Sequence, residues 1–408
     1  MTEVLTVRFA RRMSTVHRSF IREILKAAVD PQIISFAGGL PNPRFFPVRE
    51  IGEAAKKVLA EHGASALQYA TTEGFLPLRE KIAERYAARG TRVRPEDVLV
   101  LNGSQQGLDL VAKVLVDPGD RVLVERPSYL AALQCFGLFE PRFVSLALDE
   151  CGVCVRELGE ALREPAQGGA AAKLFYAIPN FQNPSGITYS RERRREAARL
   201  LAGSSTMLVE DDPYGEIRFL GEDLPAIRTF LAEEGRADQA VLLGTFSKIV
   251  SPGVRLGWVV AAPPMMEKLV IAKQAADLQS SELTQRVVHR FLCDHDVNAH
   301  IQRIREAYRR QRDLMVGAVK SLFPPEVRCT QPEGGMFLWV TLPRGMSAMS
   351  FFEKSLEQKV TFVPGTAFFA PDGEGDERER CLRLNFSNCD EAMIEEGMQR
   401  LARVYAAM

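Results

Sequence analysis

The chain has 408 residues, 46% hydrophobic and 25% charged, an ordinary balance for a globular protein long enough for two domains. Its 52 Lys and Arg match 52 Asp and Glu, which excludes a global basic field for nucleic acid, and no apolar run is long enough to span a membrane. Seven cysteines, odd in number and scattered, fit reduced thiols, and the lone Cys151-Gly152-Val153-Cys154 string lacks the second pair that zinc needs, so no metal is expected.

Arg8, Arg11 and Arg12 near the N-terminus precede no signal-type apolar core, so a cytoplasmic location is expected. Phe20–Lys26 has helical periodicity and stops before Asp30-Pro31. Gly38-Gly39-Leu40-Pro41-Asn42-Pro43 cannot be regular structure; its paired glycines allow close backbone approach to a ligand. The spacing predicts an amphipathic helix over Val48–His62, a loop carrying Tyr69, and a helix over Pro77–Arg89.

An alternation of strand and helix begins at Val98. Strand Val98–Leu101 runs into Asn102-Gly103-Ser104-Gln105 and a helix over Gln105–Val116. Small and hydroxyl residues opening a helix make an anion site, although alone the string suits any β–α turn. Strand Arg121–Glu125 leads to Tyr129, placed to stack on a flat ring. Strand Phe143–Leu146 and helix Arg156–Arg163 follow. Strand Leu174–Ile178 then ends in a turn-rich string containing Asn183-Pro184. After helix Arg191–Leu201, strand Met207–Glu210 ends in Asp211-Asp212-Pro213-Tyr214.

The most specific stretch is Thr245-Phe246-Ser247-Lys248, between strand Ala240–Gly244 and strand Leu256–Ala261. A lysine at a strand end, near Arg255 and apolar neighbours, can have its pKa lowered so that its neutral amine attacks a carbonyl carbon. Thr245, Ser247 and Arg255 can together hold a phosphate. A phosphate-bearing aldehyde beside a lysine describes pyridoxal phosphate. Beyond it the periodicity predicts one long helix over Pro264–Cys293 and another over Asn298–Leu322. The C-terminal third reads as an α+β layer, with strands Glu326–Thr330, Met336–Thr341, Val360–Phe362 and Cys381–Phe386 and helices Ser347–Gln358 and Asp390–Ala407. Arg383 lies in the last of those strands, and a guanidinium is the natural holder of a carboxylate.

From about Ser19 to the C-terminus these strings, in this order, resemble the class I/II (fold type I) aminotransferases, in particular the subgroup of 2-aminoadipate and kynurenine aminotransferases. The resemblance implies an α/β fold: a large part with a mostly parallel central sheet flanked by helices, plus a smaller α+β part. The expected division is an arm over 1–45, a cofactor-binding domain over 46–297 and a small domain over 298–408. It implies pyridoxal 5'-phosphate carried by Lys248, with Asp211 on the ring nitrogen and Tyr129 stacked on the ring. Asn183 and Tyr214 would hold the phenolic oxygen. Gly103, Ser104, Gln105, Thr245, Ser247 and Arg255 would hold the phosphate, with Tyr69 from the second subunit of a homodimer. Arg383, Asn183, Gly39, Ser19 and Arg22 would bind the substrate, an amino acid or a 2-oxo acid. Two readings stay open beside transamination. One is other chemistry on the same scaffold, by a β-lyase, decarboxylase or oxidase, since the same lysine, aspartate and arginine serve it. The other is a regulator carrying such a domain, although too few residues precede the first family segment for a DNA-binding unit.

Overall fold

The computed structural model of the chain describes residues 8–13, 30, 32–163, 171–371 and 376–408. Its centre is an eight-stranded sheet in the order Val98–Leu101, Gly257–Val260, Ala240–Thr245, Met207–Asp211, Leu174–Ala177, Arg121–Arg126, Arg142–Asp149, Gly152–Val153. The five strands from Ala240–Thr245 to Arg142–Asp149 run parallel, whereas Gly257–Val260 is antiparallel to both its neighbours. The central strands are continuous apolar runs because helices cover both faces of the sheet, leaving no solvent side for polar alternation.

Helix Val297–Leu322 buries Val297, Ile301, Ile304, Tyr308, Met315 and Val319, a stripe at three- and four-residue spacing. Asp296 caps its start by accepting from the Ala299 amide. The helix leads to a four-stranded antiparallel sheet in the order Arg328–Cys329, Phe337–Thr341, Cys381–Asn385, Val363–Pro364. Ile34–Ser35 pairs in parallel with Val360–Thr361, which ties the chain before Gly38-Gly39 to the C-terminal part.

Three sequence expectations need correction, and two helices are additions to them. The single helix over Pro264–Cys293 is two helices, Pro263–Ala276 and Glu282–Asp294. Between them Leu278 takes a left-handed φ of 68°, and Ser281 caps the second helix through the Thr284 amide. The break is held from outside: fully buried Lys273 binds the Asp277 carboxylate at 2.9 Å, and Asn102 and Gln106 donate to the same carboxylate. Strand Glu326–Thr330 shrinks to Arg328–Cys329, and Val360–Phe362 shrinks to Val360–Thr361, with the separate strand Val363–Pro364 joining the four-stranded sheet. Helices Leu130–Gly137 and Ile227–Glu233 were not foreseen. The first is too uniformly apolar to show a period. The second starts on a carboxylate from another element, Glu210 accepting from the Ile227 and Arg228 amides at 3.0 and 3.2 Å. Among the described residues no helix is long and apolar enough to cross a membrane, and no cluster of His, Cys, Asp and Glu could hold a metal.

Candidate active site

A cavity of about 310 Å³ opens at the carboxyl ends of the parallel strands. Strand ends and the connections after them supply the lining. Gly103, Ser104 and Gln105 come from one connection and Tyr129 and Asn183 from two others, Asp211 is the last residue of its strand, and Lys248 follows the strand ending at Thr245. Tyr214, Thr245, Ser247 and Arg255 complete the set of expected residues in the lining, beside Ile178, Pro213 and Pro252.

One end of the cavity is built for an anion. Helix Ser104–Leu115 starts at Gly103 with no side-chain cap, so its first amides are available to a ligand. Gly103 has φ 83°, and a Cβ there would stand 2.5 Å from the Arg255 guanidinium, so only glycine lets the arginine close over the turn. Arg255, at φ 50°, donates to the Asn102 carbonyl at 3.3 Å. The Thr245 hydroxyl donates to Ser247 Oγ at 2.9 Å on the same rim. The Lys273–Asp277–Gln106 cluster braces Asn102 from below and so fixes the turn.

The two adjacent aspartates separate cleanly. Asp212 accepts from Arg89 at 2.9 Å, from Asn180 at 2.8 Å and from the Gly215 amide, away from the cavity lining. Burial pushes its carboxyl up, but Arg89 and Asn180 outweigh burial and hold it below the usual range. Asp211 faces the cavity. One oxygen accepts from the Tyr176 hydroxyl at 2.8 Å, and the other, Oδ1, is buried with no partner. Burial raises the Asp211 pKa to about 7. Such an orphan costs roughly 1–3 kcal/mol unless a ligand donor meets it.

Lys248 is part-buried, and its Nζ donates to the Gly39 carbonyl at 3.2 Å. Burial, with Arg383 and Arg255 adding positive charge, lowers its pKa to about 8. Arg383 is buried and sits over the Phe337 and Phe368 rings at 4.2 and 4.9 Å. It donates to Asn183 Oδ1 and to the Ala37 carbonyl, both at 2.8 Å, while its Nε is without a partner. Asn183 in turn donates to the Tyr214 hydroxyl at 3.4 Å, so these three side chains form one line. Gly39 packs so closely on Phe337 that a Cβ would lie 3.1 Å from the ring.

Tyr69 does not line this cavity; the residue is 78% exposed. Ser19 and Arg22 lie outside the described residues. The sequence reading missed Tyr176 and a clamp at Glu125. Buried Glu125 accepts from Gln182 Nε2 at 2.9 Å, from the Tyr189 hydroxyl at 2.7 Å and from the Ile178 amide at 3.1 Å. Gln182 also donates to the Pro127 carbonyl, so the loop bearing Tyr129 and the loop bearing Asn183 rest on one carboxylate. A tyrosine inside an otherwise apolar strand was the available signal, since a buried hydroxyl needs a partner. The donor set fits a flat phosphorylated pyridine aldehyde: an uncapped helix start for phosphate, an orphan carboxylate oxygen for a ring N–H, and an amine of lowered pKa for the aldehyde.

Residues 35–401 match the family model for aminotransferase class I and II. The chain is 43% identical to aromatic-amino-acid aminotransferase 1 of Thermococcus litoralis, over 97% of this chain and 93% of that one. Among solved structures it is similar to LysN, the alpha-aminoadipate aminotransferase of Thermus thermophilus, complexed with N-(5'-phosphopyridoxyl)-L-leucine. That match has a TM-score of 0.88 and 42% identity over 98% of this chain and 97% of that one. The kynurenine aminotransferase of Pyrococcus horikoshii, in complex with PMP, gives a TM-score of 0.90 at 40% identity, over 98% and 97% of the two chains.

Proposed function

Because the chain belongs to the class I and II aminotransferases, and works with pyridoxal 5'-phosphate on an amino acid and a 2-oxo acid, we propose which substrates it joins and which residues do the work. One substrate pair is glutamate and 2-oxoglutarate. The other amino acid is 2-aminoadipate or one with a branched-chain or aromatic side chain, in keeping with the names of the similar enzymes.

The observation that carries the residue assignment is that Lys248 and Asp211, whose buried Oδ1 has no partner, line one cavity. Pyridoxal phosphate supplies an aldehyde that links to amines and a ring that takes up the electron pair left when Cα loses its proton. Lys248 is the covalent anchor and then the general base, since a pKa near 8 leaves a usable neutral fraction at neutral pH. Asp211 holds the proton on the ring nitrogen. Tyr129 stacks on the ring face, and Asn183 and Tyr214 hold the phenolic oxygen. The Gly103–Gln105 turn, Thr245, Ser247 and Arg255 hold the phosphate. Arg383 holds the substrate α-carboxylate, with Gly39 closing over it.

We further propose a cytoplasmic homodimer in which the exposed Tyr69 of one chain completes the phosphate site of the other. The division into an arm over 1–45, a large domain over 46–297 and a small domain over 298–408 belongs to the same reading. Ser19 and Arg22 would belong to the substrate site, with Arg22 reading the side chain by swinging in for acidic substrates and out for apolar ones, because a fixed buried arginine without a partner is costly.

An amino-donor screen with 2-oxoglutarate, read as glutamate formed, tests the substrate assignment. Glutamate should appear with 2-aminoadipate, leucine-like or aromatic donors; a protein that used none of them would overturn it. Borohydride reduction of the yellow holoenzyme should fix the label on the peptide containing Lys248, and a label on any other lysine would reassign the anchor.

A further inference from the structure

The Tyr176 hydroxyl reaches Asp211 from inside the sheet. Tyr176 lies on strand Leu174–Ala177 directly opposite Val209, so Asp211, two residues further on, is its diagonal neighbour on the same face. Its side chain is wholly buried, and the Phe136 ring stands edge-on to it with centroids 5.5 Å apart. The hydroxyl donates to Asp211 Oδ2 at 2.8 Å, and no other side chain or backbone donor is paired with that carboxylate among the described residues. Asp212 is turned to Arg89 and Asn180, so it neither shares the tyrosine nor competes for the cavity.

We propose that Tyr176 is a positioning residue for the transamination chemistry: its hydroxyl aims Asp211 Oδ1 at the cofactor's ring nitrogen and keeps the carboxylate ionised, so that the shared proton stays on the ring. The proposal rests on the assignment of Asp211 to the ring nitrogen. Two effects of one hydrogen bond support it. The first is orientation. With Oδ2 tied to a hydroxyl that is fixed in a packed strand, rotation of the carboxylate is restrained, and the buried Oδ1 is the oxygen left for a donor from a ligand. The second is charge. A carboxylate in an apolar setting gains proton affinity, and a donor hydrogen bond to the ionised form opposes that gain. Without the phenol, Asp211 would compete better for the single proton lying between it and the ring. The ring would then spend more time unprotonated and accept the Cα electron pair less readily.

The test uses holoenzyme reconstituted with cofactor ¹⁵N-labelled in the ring, read by the ¹⁵N chemical shift together with steady-state kinetics. Tyr176→Phe should move the ring ¹⁵N signal toward the unprotonated pyridine position. It should lower kcat about ten- to one-hundred-fold with KM nearly unchanged, the range expected for losing a hydrogen bond to a charged group. Tyr189→Phe removes an equally buried hydroxyl from a different carboxylate, Glu125, and should leave the ¹⁵N signal in place. Should Tyr176→Phe fail to fold, 3-fluorotyrosine at position 176 keeps the ring and supplies a more acidic donor, and the signal should move the opposite way. An unmoved signal in the position-176 proteins, or an equal shift in Tyr189→Phe, overturns the proposal. The Asp211 assignment fails separately: it falls if Asp211→Asn leaves the ¹⁵N signal where the wild type has it.

Discussion

Two hollows in this molecule teach by contrast. The larger, about 640 Å³, lies between the segment 186–190 and the small sheet, lined by Glu150, Cys151, Arg328, Glu333 and Trp339. The smaller, about 310 Å³, holds Lys248 and Asp211. In the larger hollow the charged side chains lie in water, where an ionised group has no unmet demand. In the smaller one a buried carboxylate oxygen has no partner, an amine is held near pKa 8 and a helix start is uncapped. Volume does not mark the site; the meeting of an unpartnered carboxylate, an amine of lowered pKa and an uncapped helix start does.

The largest expected effect separates the hollows directly. Lys248→Ala should abolish transamination, whereas Glu150→Gln in the larger hollow should leave kcat within about twofold, as for a surface change. A large loss in Glu150→Gln would make the second hollow functional and break the contrast. Next, Asp211→Asn should cost several orders of magnitude in kcat. A near-normal rate would mean that another group holds the ring nitrogen.

The neighbouring residue sharpens the comparison through stability. Asp212→Asn leaves Arg89 nearly buried without its carboxylate, so it should lower unfolding stability by roughly 3–5 kcal/mol while folded enzyme keeps most of its rate. Denaturant melts beside specific activity would separate the two outcomes, and a rate loss like that of Asp211→Asn would erase the distinction between the pair.

The apoprotein offers a pH test. Lys248 has a folded pKa near 8, below its usual value of 10.5, so between these values the unfolded chain binds more protons. Stability therefore rises with pH across that window, and the full cost of the buried charge is present below pH 8. Lys248→Met should stabilise the apoprotein at pH 7 by on the order of 3 kcal/mol, a gain that shrinks as pH rises from 8 to 10.5. A gain independent of pH would show that packing, not charge, sets it. The smallest shift expected is in Arg22→Ala, which should weaken glutamate and 2-oxoglutarate by roughly 1.5–3 kcal/mol and spare apolar donors. Equal losses for both kinds of substrate would remove Arg22 from side-chain recognition.

Much of the site was legible because its residues follow strand ends in short strings, from Gly103 to Lys248, whose order carries the family resemblance. What stayed hidden depends on partners far along the chain. The break at Asp277–Ser281 answers to Asn102 and Gln106, the helix at Ile227 starts on Glu210, and Tyr176 matters only because Asp211 lies diagonally across the sheet. Periodicity reports which face of an element is buried; it does not report which distant polar group completes that element.

Glu125 carries a consequence for genetics. Because one carboxylate holds both the Tyr129 loop and the Asn183 loop through Gln182 and the Ile178 amide, the two loops share a foundation, and damage to it displaces both at once. Substitutions at 125 and 182 therefore form a single epistatic unit. The second change should add little to the first, because the support it would remove has already gone. A lineage altering substrate choice through either loop is then constrained to keep this pair intact, or to replace both members together.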